Sequence, residues 1–212
     1  MVSKLKYYRR KSANREPRKT FLIVTEGATE EQYFKKFRRQ PGPIVLVKDG
    51  KDSKRSLVES AIAERELRVK NQDYLPEVDE TWVVMDRDID MGNKHDLDNF
   101  NQALQLADNE NINVAWSNDA FELWLLLHFQ DVEASMHRTQ LNELLSKHIG
   151  KKYEKAKGDE MFDATKDFRD DAIRRSERML KDMETIHPSS ANPCTTVHLL
   201  VVRLVTHPGF RE

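Results

Sequence analysis

The chain has 212 residues, of which 38% are hydrophobic and 33% are charged, and its formal net charge is −1. This length suits one domain with additional segments and can bury a hydrophobic core. The single cysteine excludes an intrachain disulfide, and no apolar run approaches the roughly 18–20 residues that span a bilayer. Because the N-terminus also lacks the apolar segment of a signal peptide, we expect a soluble, cytoplasmic protein without a membrane partner.

The first 20 residues are strongly basic. Eight lysines and arginines face one glutamate there, a net charge of +7. Such an arm can bind nucleic acid or another acidic partner, with Arg9, Arg10 and Lys11 as candidate contacts. A solvated tail is the alternative interpretation.

The apolar run FLIVT at 21–25 predicts a buried strand of a parallel sheet. It ends at Glu26 and Gly27, and the glycine allows a sharp turn. Thr29 and Gln32 have the spacing of a capping box, which predicts that a helix follows.

Further apolar runs predict strands over 44–47, 82–85 and 112–116, with helices over 56–69 and around 97–107. The alternation of strands and helices indicates an α/β domain with a Rossmann-like, mainly parallel sheet of about four strands flanked by helices. Sheets of this kind place their ligands at the carboxyl ends of the strands.

Acidic side chains follow two of these strands. Glu26 follows the first, and Asp86, Asp88 and Asp90 follow the third in the sequence TWVVMDRDID. If the chain stays extended, Asp86 and Asp88 share one face. Crowded carboxylates repel each other unless a hard cation neutralises them. We therefore expect Glu26, Glu30, Asp86 and Asp88 to converge on one or two Mg²⁺ or Mn²⁺ ions, which would suit phosphoryl transfer.

Each of these acids has a simpler explanation. Aspartates are common in polar turns after strands, which would account for Asp86 and Asp88. An acid in the first turn of a helix complements the helix dipole, which would account for Glu30.

The segment FELWLLLHF at 121–129 predicts a helix that is buried on most sides. Asp119 and Glu122 fit a capping box at its start. Glu122 is alternatively a further metal ligand or a group that orients a metal-bound water. Asn118, in the preceding turn, is a second candidate supporting residue.

The sequence predicts four segments. Residues 1–20 form the basic arm, 21–130 the α/β core, 131–190 a polar helical lobe, and 191–212 a C-terminal helix that packs back on the core. Thr195 or Thr196 would cap that helix.

Lysines cluster around one tyrosine in the polar lobe. Lys151, Lys152 and Lys155 surround Tyr153. A basic patch with an aromatic ring can hold phosphates and stack a base, which makes these residues candidate nucleic-acid contacts. A solvated lysine-rich loop is the alternative.

Several common catalytic motifs are missing from the sequence. It has no P-loop, no H-E-x-x-H and no C-x-x-C, which disfavours an NTPase, a zincin and a zinc module. It also has no G-x-S-x-G nucleophile motif.

Three segments together resemble the RloB-like protein family: VTEGATEEQYF at 24–34, SNDAFELWLLLHF at 117–129 and NPCTTVHLLV at 192–201. The resemblance extends over most of the chain, and FELWLLLHF is its most specific part. Asp119 stands where the family pattern has a proline.

The first strand followed by Glu26-Gly27-Ala28-Thr29-Glu30, and then Asp86-Arg87-Asp88, resembles a Toprim domain, the module shared by topoisomerases, primases and OLD-type nucleases. The resemblance implies a Toprim-like, Mg²⁺-dependent nuclease of a prokaryotic anti-phage, abortive-infection or restriction-associated system. Glu26 would be the general acid or base, and Asp86 and Asp88 would bind the metal. Glu30, Asp90 and Glu122 would be supporting ligands.

The resemblance also implies partners, namely DNA or RNA as the substrate and an ATPase that accompanies some family members. A homo-oligomer is compatible with the sequence. The main alternative is a catalytically inactive Toprim-like subunit that binds or regulates a partner ATPase. A third hypothesis is an enzyme that acts on the phosphoanhydride of a free nucleotide.

Overall fold

The apolar runs of the sequence form the strands of one sheet in the computed structural model, which describes residues 19–38, 44–49, 53–75, 77–88, 94–207 and 210. The strands are β1 (Thr20–Thr25), β2 (Ile44–Asp49), β3 (Glu80–Asp86), β4 (Asn113–Asn118) and β5 (Cys194–Thr195). Their order in the sheet is β2-β1-β3-β4-β5. The first four strands pair in parallel and β5 is antiparallel to β4, which confirms the predicted α/β class with a mainly parallel sheet.

The helices are α1 (Ala28–Lys35), α2 (Lys54–Lys70), α3 (Lys94–Asn109), α4 (Glu122–Leu126), α5 (Arg138–Ile149), α6 (Gly158–Thr165), α7 (Arg169–Asp182) and α8 (Val197–Val205). A short 3₁₀ turn, Lys166–Phe168, joins α6 to α7. The start of α2 and the end of α5 each follow from the local sequence. Ser53 and Ser56 form a capping box at the start of α2, and α5 ends at Gly150, whose φ of 68° favours glycine.

Both faces of the sheet are buried because successive side chains of a strand point in opposite directions. In β1, Phe21 and Ile23 belong to one hydrophobic cluster, while Leu22 and Val24 belong to the other. Helices α2 and α3 pack in the second cluster. Helices α1, α4, α5, α6 and α8 pack in the first.

Residues of the predicted helical lobe contribute to the core of the sheet. Leu141 of α5 and Phe162 of α6 are buried in the same cluster as Phe21. Gly158 brings the backbones of α6 and α1 close together, because a Cβ atom on it would lie 1.8 Å from the carbonyl oxygen of Thr29. The division of the chain into a core and a lobe stays a prediction.

The predicted cap of α1 is wrong. The N-cap of α1 is Gly27, with no side-chain cap, and Thr29 and Gln32 lie inside the helix. Their side chains instead accept hydrogen bonds from the N–H groups of Ala156 and Gly158, at 2.9 and 3.2 Å. The side chains of Thr29 and Gln32 therefore bind backbone groups that are distant in sequence instead of capping α1.

The predicted cap before the buried helix is also wrong. Helix α4 starts at Glu122 with Phe121 as its N-cap and no side-chain cap, and the peptide bond between Asn118 and Asp119 is cis. One oxygen of Asp119 accepts from the N–H of Arg138 at 3.1 Å. The helix is shorter than predicted, but every side chain from Phe121 to His128 is buried, as expected.

The C-terminal helix starts where it was predicted. Thr196 is the N-cap of α8 and makes no side-chain cap bond, whereas the hydroxyl of Thr195 accepts from the N–H of Val197 at 3.3 Å. None of the helices within the described residues has the length and apolar character to cross a lipid bilayer.

Candidate active site

The acids that follow β1 and β3 meet at the carboxyl edge of the sheet. Because these strands are parallel neighbours, Glu26 lies beside the end of β3, and its N–H donates to the carbonyl of Val84 at 3.1 Å. The N–H of Asp86 donates to Oε2 of Glu26 at 3.0 Å. The structure therefore brings Glu26 and Asp86 into direct contact.

Asp86 connects the end of β3 to the start of the buried helix. Its Oδ1 accepts a hydrogen bond from the N–H of Phe121 at 2.7 Å. The pKa of Asp86 is raised well above its ordinary value, first by burial and then by the charges of Glu30 and Glu26. The carboxylate is therefore held in a fixed position among like charges.

Two buried glutamates complete this cluster. Glu30 and Glu122 are 6% and 3% exposed. Burial raises the pKa of Glu30 to about 7, and the charges of Glu122 and Glu26 act in the same direction. Oε1 of Glu122 accepts a hydrogen bond from the hydroxyl of Tyr153 at 3.0 Å. The cluster thus takes one acid from the turn after β1 and one each from α1, β3 and α4.

The expectation that Asp86 and Asp88 share one face of an extended chain loses its premise. The strand ends at Asp86, and Asp88 has a φ of 49°, so the chain is no longer extended there. Asp88 instead binds two cationic side chains, since Lys54 donates to its Oδ2 at 2.5 Å and Arg138 donates to its Oδ1. Burial raises the pKa of Asp88, but the charges and hydrogen bonds of Lys54 and Arg138 outweigh burial, and the pKa is lowered overall.

Lys54 and Arg138 are residues of this site that the sequence pattern missed. The ammonium of Lys54 also donates to Oε1 of Glu26 at 2.5 Å, so it bridges Glu26 and Asp88. Arg138 lies 3.4 Å from Oδ1 of Asp119. Lys54 could have been predicted from the strand order. Because β2 adjoins β1, the start of α2, which follows β2, lies at the same edge of the sheet as Glu26.

The acids fit a divalent cation in their chemistry. Their oxygens are the ligands that Mg²⁺ prefers. Burial is the main cause of the raised pKa values of Glu30 and Asp86, and the charges of the neighbouring acids raise them further, which a bound cation would oppose. Among the described residues, however, no group of three or more histidine, cysteine or acidic side chains is arranged to hold a metal ion. Lys54 and Arg138 supply the positive charge in this arrangement. Asp90 lies outside the described residues.

Asn118 lies at the end of β4 and is 1% exposed. Its side-chain N–H donates to the carbonyl of Ala191 at 2.6 Å. Its Oδ1 is buried, with no hydrogen-bond partner in the part of the chain that the structure describes. Asn118 therefore holds the segment before β5 against the sheet edge.

Tyr153 does not occupy the position expected of a base-stacking residue. It is 6% exposed, and its hydroxyl is committed to Glu122, so its ring is a core side chain. Lys151 and Lys157 both pair with Glu160, at 2.6 and 3.0 Å. The sequence placed Tyr153 on the surface because its neighbours are lysines.

A cavity of about 750 Å³ lies beside this lysine cluster. Its lining includes Lys151, Lys152 and Lys157 together with the rings of Phe129 and Phe168. Phe168 is 46% exposed. Lys152 and Lys155 are exposed.

Arg9, Arg10 and Lys11 of the basic arm lie outside the described residues, so their predicted contact with nucleic acid stays a prediction.

In a comparison with protein families, the family model described as RloB-like protein matches residues 21–204. A comparison with curated proteins gives no match.

Proposed function

The chain belongs to the RloB-like protein family, whose model covers most of it, and from this membership and the acidic site we propose that it is a Toprim-like, Mg²⁺-dependent nuclease. The proposed reaction is the hydrolysis of phosphodiester bonds in DNA or RNA. The proposed setting is a prokaryotic anti-phage or abortive-infection system in which an ATPase accompanies the nuclease.

One observation carries this proposal. Glu26 and Asp86 are in direct contact at the carboxyl edge of a parallel sheet, where α/β proteins place their ligands. Glu30 and Glu122 are close enough to raise the pKa of Asp86. A fold gains nothing from such repulsion, whereas a cation-dependent phosphodiesterase requires negative charge at this point.

The residues have distinct roles in the proposed reaction. A divalent cation held by Asp86 with Glu26 and Asp88 would activate water and stabilise charge on the phosphate. The N–H of Phe121 fixes the carboxylate of Asp86. Glu26 is the proposed general acid or base, and Glu30, whose pKa of about 7 lies near neutrality, can hold a proton in the metal-free site.

The lysine-lined cavity supports a path for single-stranded nucleic acid. Lys152, which lines the cavity, and Lys155, which is exposed but does not line it, would contact phosphates. The exposed ring of Phe168, rather than Tyr153, would stack a base. Such contacts release counterions, so binding should weaken as salt rises.

The test compares wild type with Asp86→Asn. Asparagine keeps an oxygen that can accept from the N–H of Phe121, so the fold should survive while the metal loses a charged ligand. DNA, RNA, tRNA and free nucleotides are incubated with Mg²⁺ or Mn²⁺, with and without the product of the neighbouring gene. We expect cleavage of nucleic acid by wild type, none with a chelator, and none by the variant.

Asp131→Asn is the matched control, because Asp131 pairs with Arg178 on the surface. It should cleave like wild type. Undiminished Mg²⁺-dependent cleavage by Asp86→Asn would refute the assigned site, and turnover confined to free nucleotides would favour a phosphoanhydride enzyme.

The bridging contact of Lys54 favours a second candidate function. If its ammonium permanently replaces the cation between Glu26 and Asp88, the protein would be an inactive subunit that binds or regulates the ATPase. Calorimetry with Mn²⁺ separates the two functions. A functional metal site binds Mn²⁺, and Asp86→Asn weakens that binding. An inactive site does not bind Mn²⁺.

A further inference from the structure

Lys54 places a positive charge between two of the carboxylates that the proposed function assigns to the metal. We propose that Lys54 is a tethered competitor of the divalent cation, so that metal binding expels its ammonium from Glu26 and Asp88. This inference rests on the proposed function only in taking these two carboxylates as metal ligands.

The hydrogen bonds of the two carboxylates carry the argument. The ammonium lies 2.5 Å from Oε1 of Glu26 and 2.5 Å from Oδ2 of Asp88. The remaining oxygens also accept hydrogen bonds, since Asp86 N–H donates to Oε2 of Glu26 and Arg138 donates to Oδ1 of Asp88. All four oxygens therefore already have a donor.

Of these donors, Lys54 is the one that occupies oxygens of both carboxylates and whose side chain can move away from them. The N–H of Asp86 is part of the backbone at the end of β3, and Arg138 contacts Asp88 but not Glu26. The lysine side chain is a flexible stem with a compact charge at its tip. The Lys54 side chain is 12% exposed, against 35% for each of the two acidic side chains, so the lysine is better shielded from solvent than the carboxylates it binds.

The start of α2 does not depend on the Lys54 side chain. Ser53 and Ser56 form the capping box that holds this end of the helix. Lys54 is the first residue of α2, where the helix dipole disfavours a positive charge. The carboxylates therefore hold the ammonium in place against the dipole, and a cation that neutralises them removes the reason for it to stay.

Amine labelling of the wild-type protein tests this expulsion directly. The protein is treated at constant pH with an amine-reactive ester at increasing Mg²⁺, and modification of each lysine is measured by mass spectrometry. We expect labelling of Lys54 to be slow without Mg²⁺ and to approach the rate of the exposed Lys152 as the ion saturates. Labelling of Lys152 itself should not change.

Calorimetry with Mn²⁺ on Lys54→Met provides the second readout. Loss of two charge-assisted hydrogen bonds that the ion must otherwise break should tighten binding by about tenfold or more. Arg55→Met is the matched control: the neighbouring side chain is exposed and pairs with Glu59. It should change the affinity by less than about threefold, as expected for an exposed charge.

The outcomes separate this inference from the proposed function. If wild type binds Mn²⁺ while Lys54 stays unlabelled and Lys54→Met binds no more tightly, the competition is refuted and the metal site stands. If neither protein binds Mn²⁺, both the competition and the metal-dependent function are refuted. The labelling experiment uses wild type, so it decides the question even if Lys54→Met does not fold.

Discussion

Replacing Glu30 by glutamine should make the metal-free protein more stable at alkaline pH. Glu30 is 6% exposed, and its pKa is raised from 4.5 to about 7 by burial and by the charges of Glu122 and Glu26. Each pKa unit corresponds to about 1.4 kcal/mol, so ionising Glu30 in the folded protein lowers the free energy of unfolding by about 3 kcal/mol.

The sign of the effect follows from proton binding. The unfolded chain releases the proton of Glu30 near pH 4.5, whereas the folded protein retains it until about pH 7. Between these values the folded state binds more protons, so its stability falls as pH rises. Below the window Glu30→Gln should be as stable as wild type, and above it the variant should be more stable by up to about 3 kcal/mol.

Urea unfolding with a chelator present, at pH 4.5 and pH 8, measures this difference through tryptophan fluorescence. Glu31→Gln is the control, because Glu31 neighbours Glu30 in α1 and pairs with Lys35. It should shift stability by no more than about 0.5 kcal/mol at either pH. An equal effect of Glu30→Gln at both pH values, or a loss of stability at pH 8, would show that burial and the neighbouring charges do not raise the pKa of Glu30 in the folded protein.

Two further substitutions test the packing around the site. Tyr153→Phe should lower the free energy of unfolding by about 1–2 kcal/mol, because the buried Glu122 loses its hydrogen bond. The control is Tyr74→Phe, since Tyr74 is 88% exposed. In the same urea titration this control should not change the free energy of unfolding measurably. Gly158→Ala should destabilise by about 1–3 kcal/mol or more, because the new methyl group would lie 1.8 Å from the carbonyl oxygen of Thr29. If thermal unfolding shows that Gly158→Ala is as stable as wild type, α6 and α1 are not packed this closely.

The sequence was sufficient to predict the sheet and the edge where the acids meet. Continuous apolar runs separated by helical segments allow little except a parallel sheet, and parallel strands bring their carboxyl ends together. That is why Glu26 and Asp86 could be predicted to be neighbours. The two-residue strand β5 is too short to show any periodicity, so the fifth strand could not be predicted.

The sequence was insufficient wherever a partner lies far away along the chain. Thr29 has the local pattern of a cap, but a backbone group 127 residues away binds its side chain. Tyr153 sits among lysines, and only the fold shows that its ring is buried and its hydroxyl reaches Glu122. Lys54 could be predicted as a site residue only from the strand order, because nothing near it in sequence marks it as a partner of Glu26 and Asp88.

The most direct test of the metal site is anomalous scattering from crystals of the wild-type protein saturated with Mn²⁺. We expect an anomalous peak within coordination distance of the carboxylate of Asp86 and of at least one of Glu26 and Asp88, with the ammonium of Lys54 withdrawn from both Glu26 and Asp88. Crystals that show no peak at this edge of the sheet, with Lys54 still bridging Glu26 and Asp88, would contradict it.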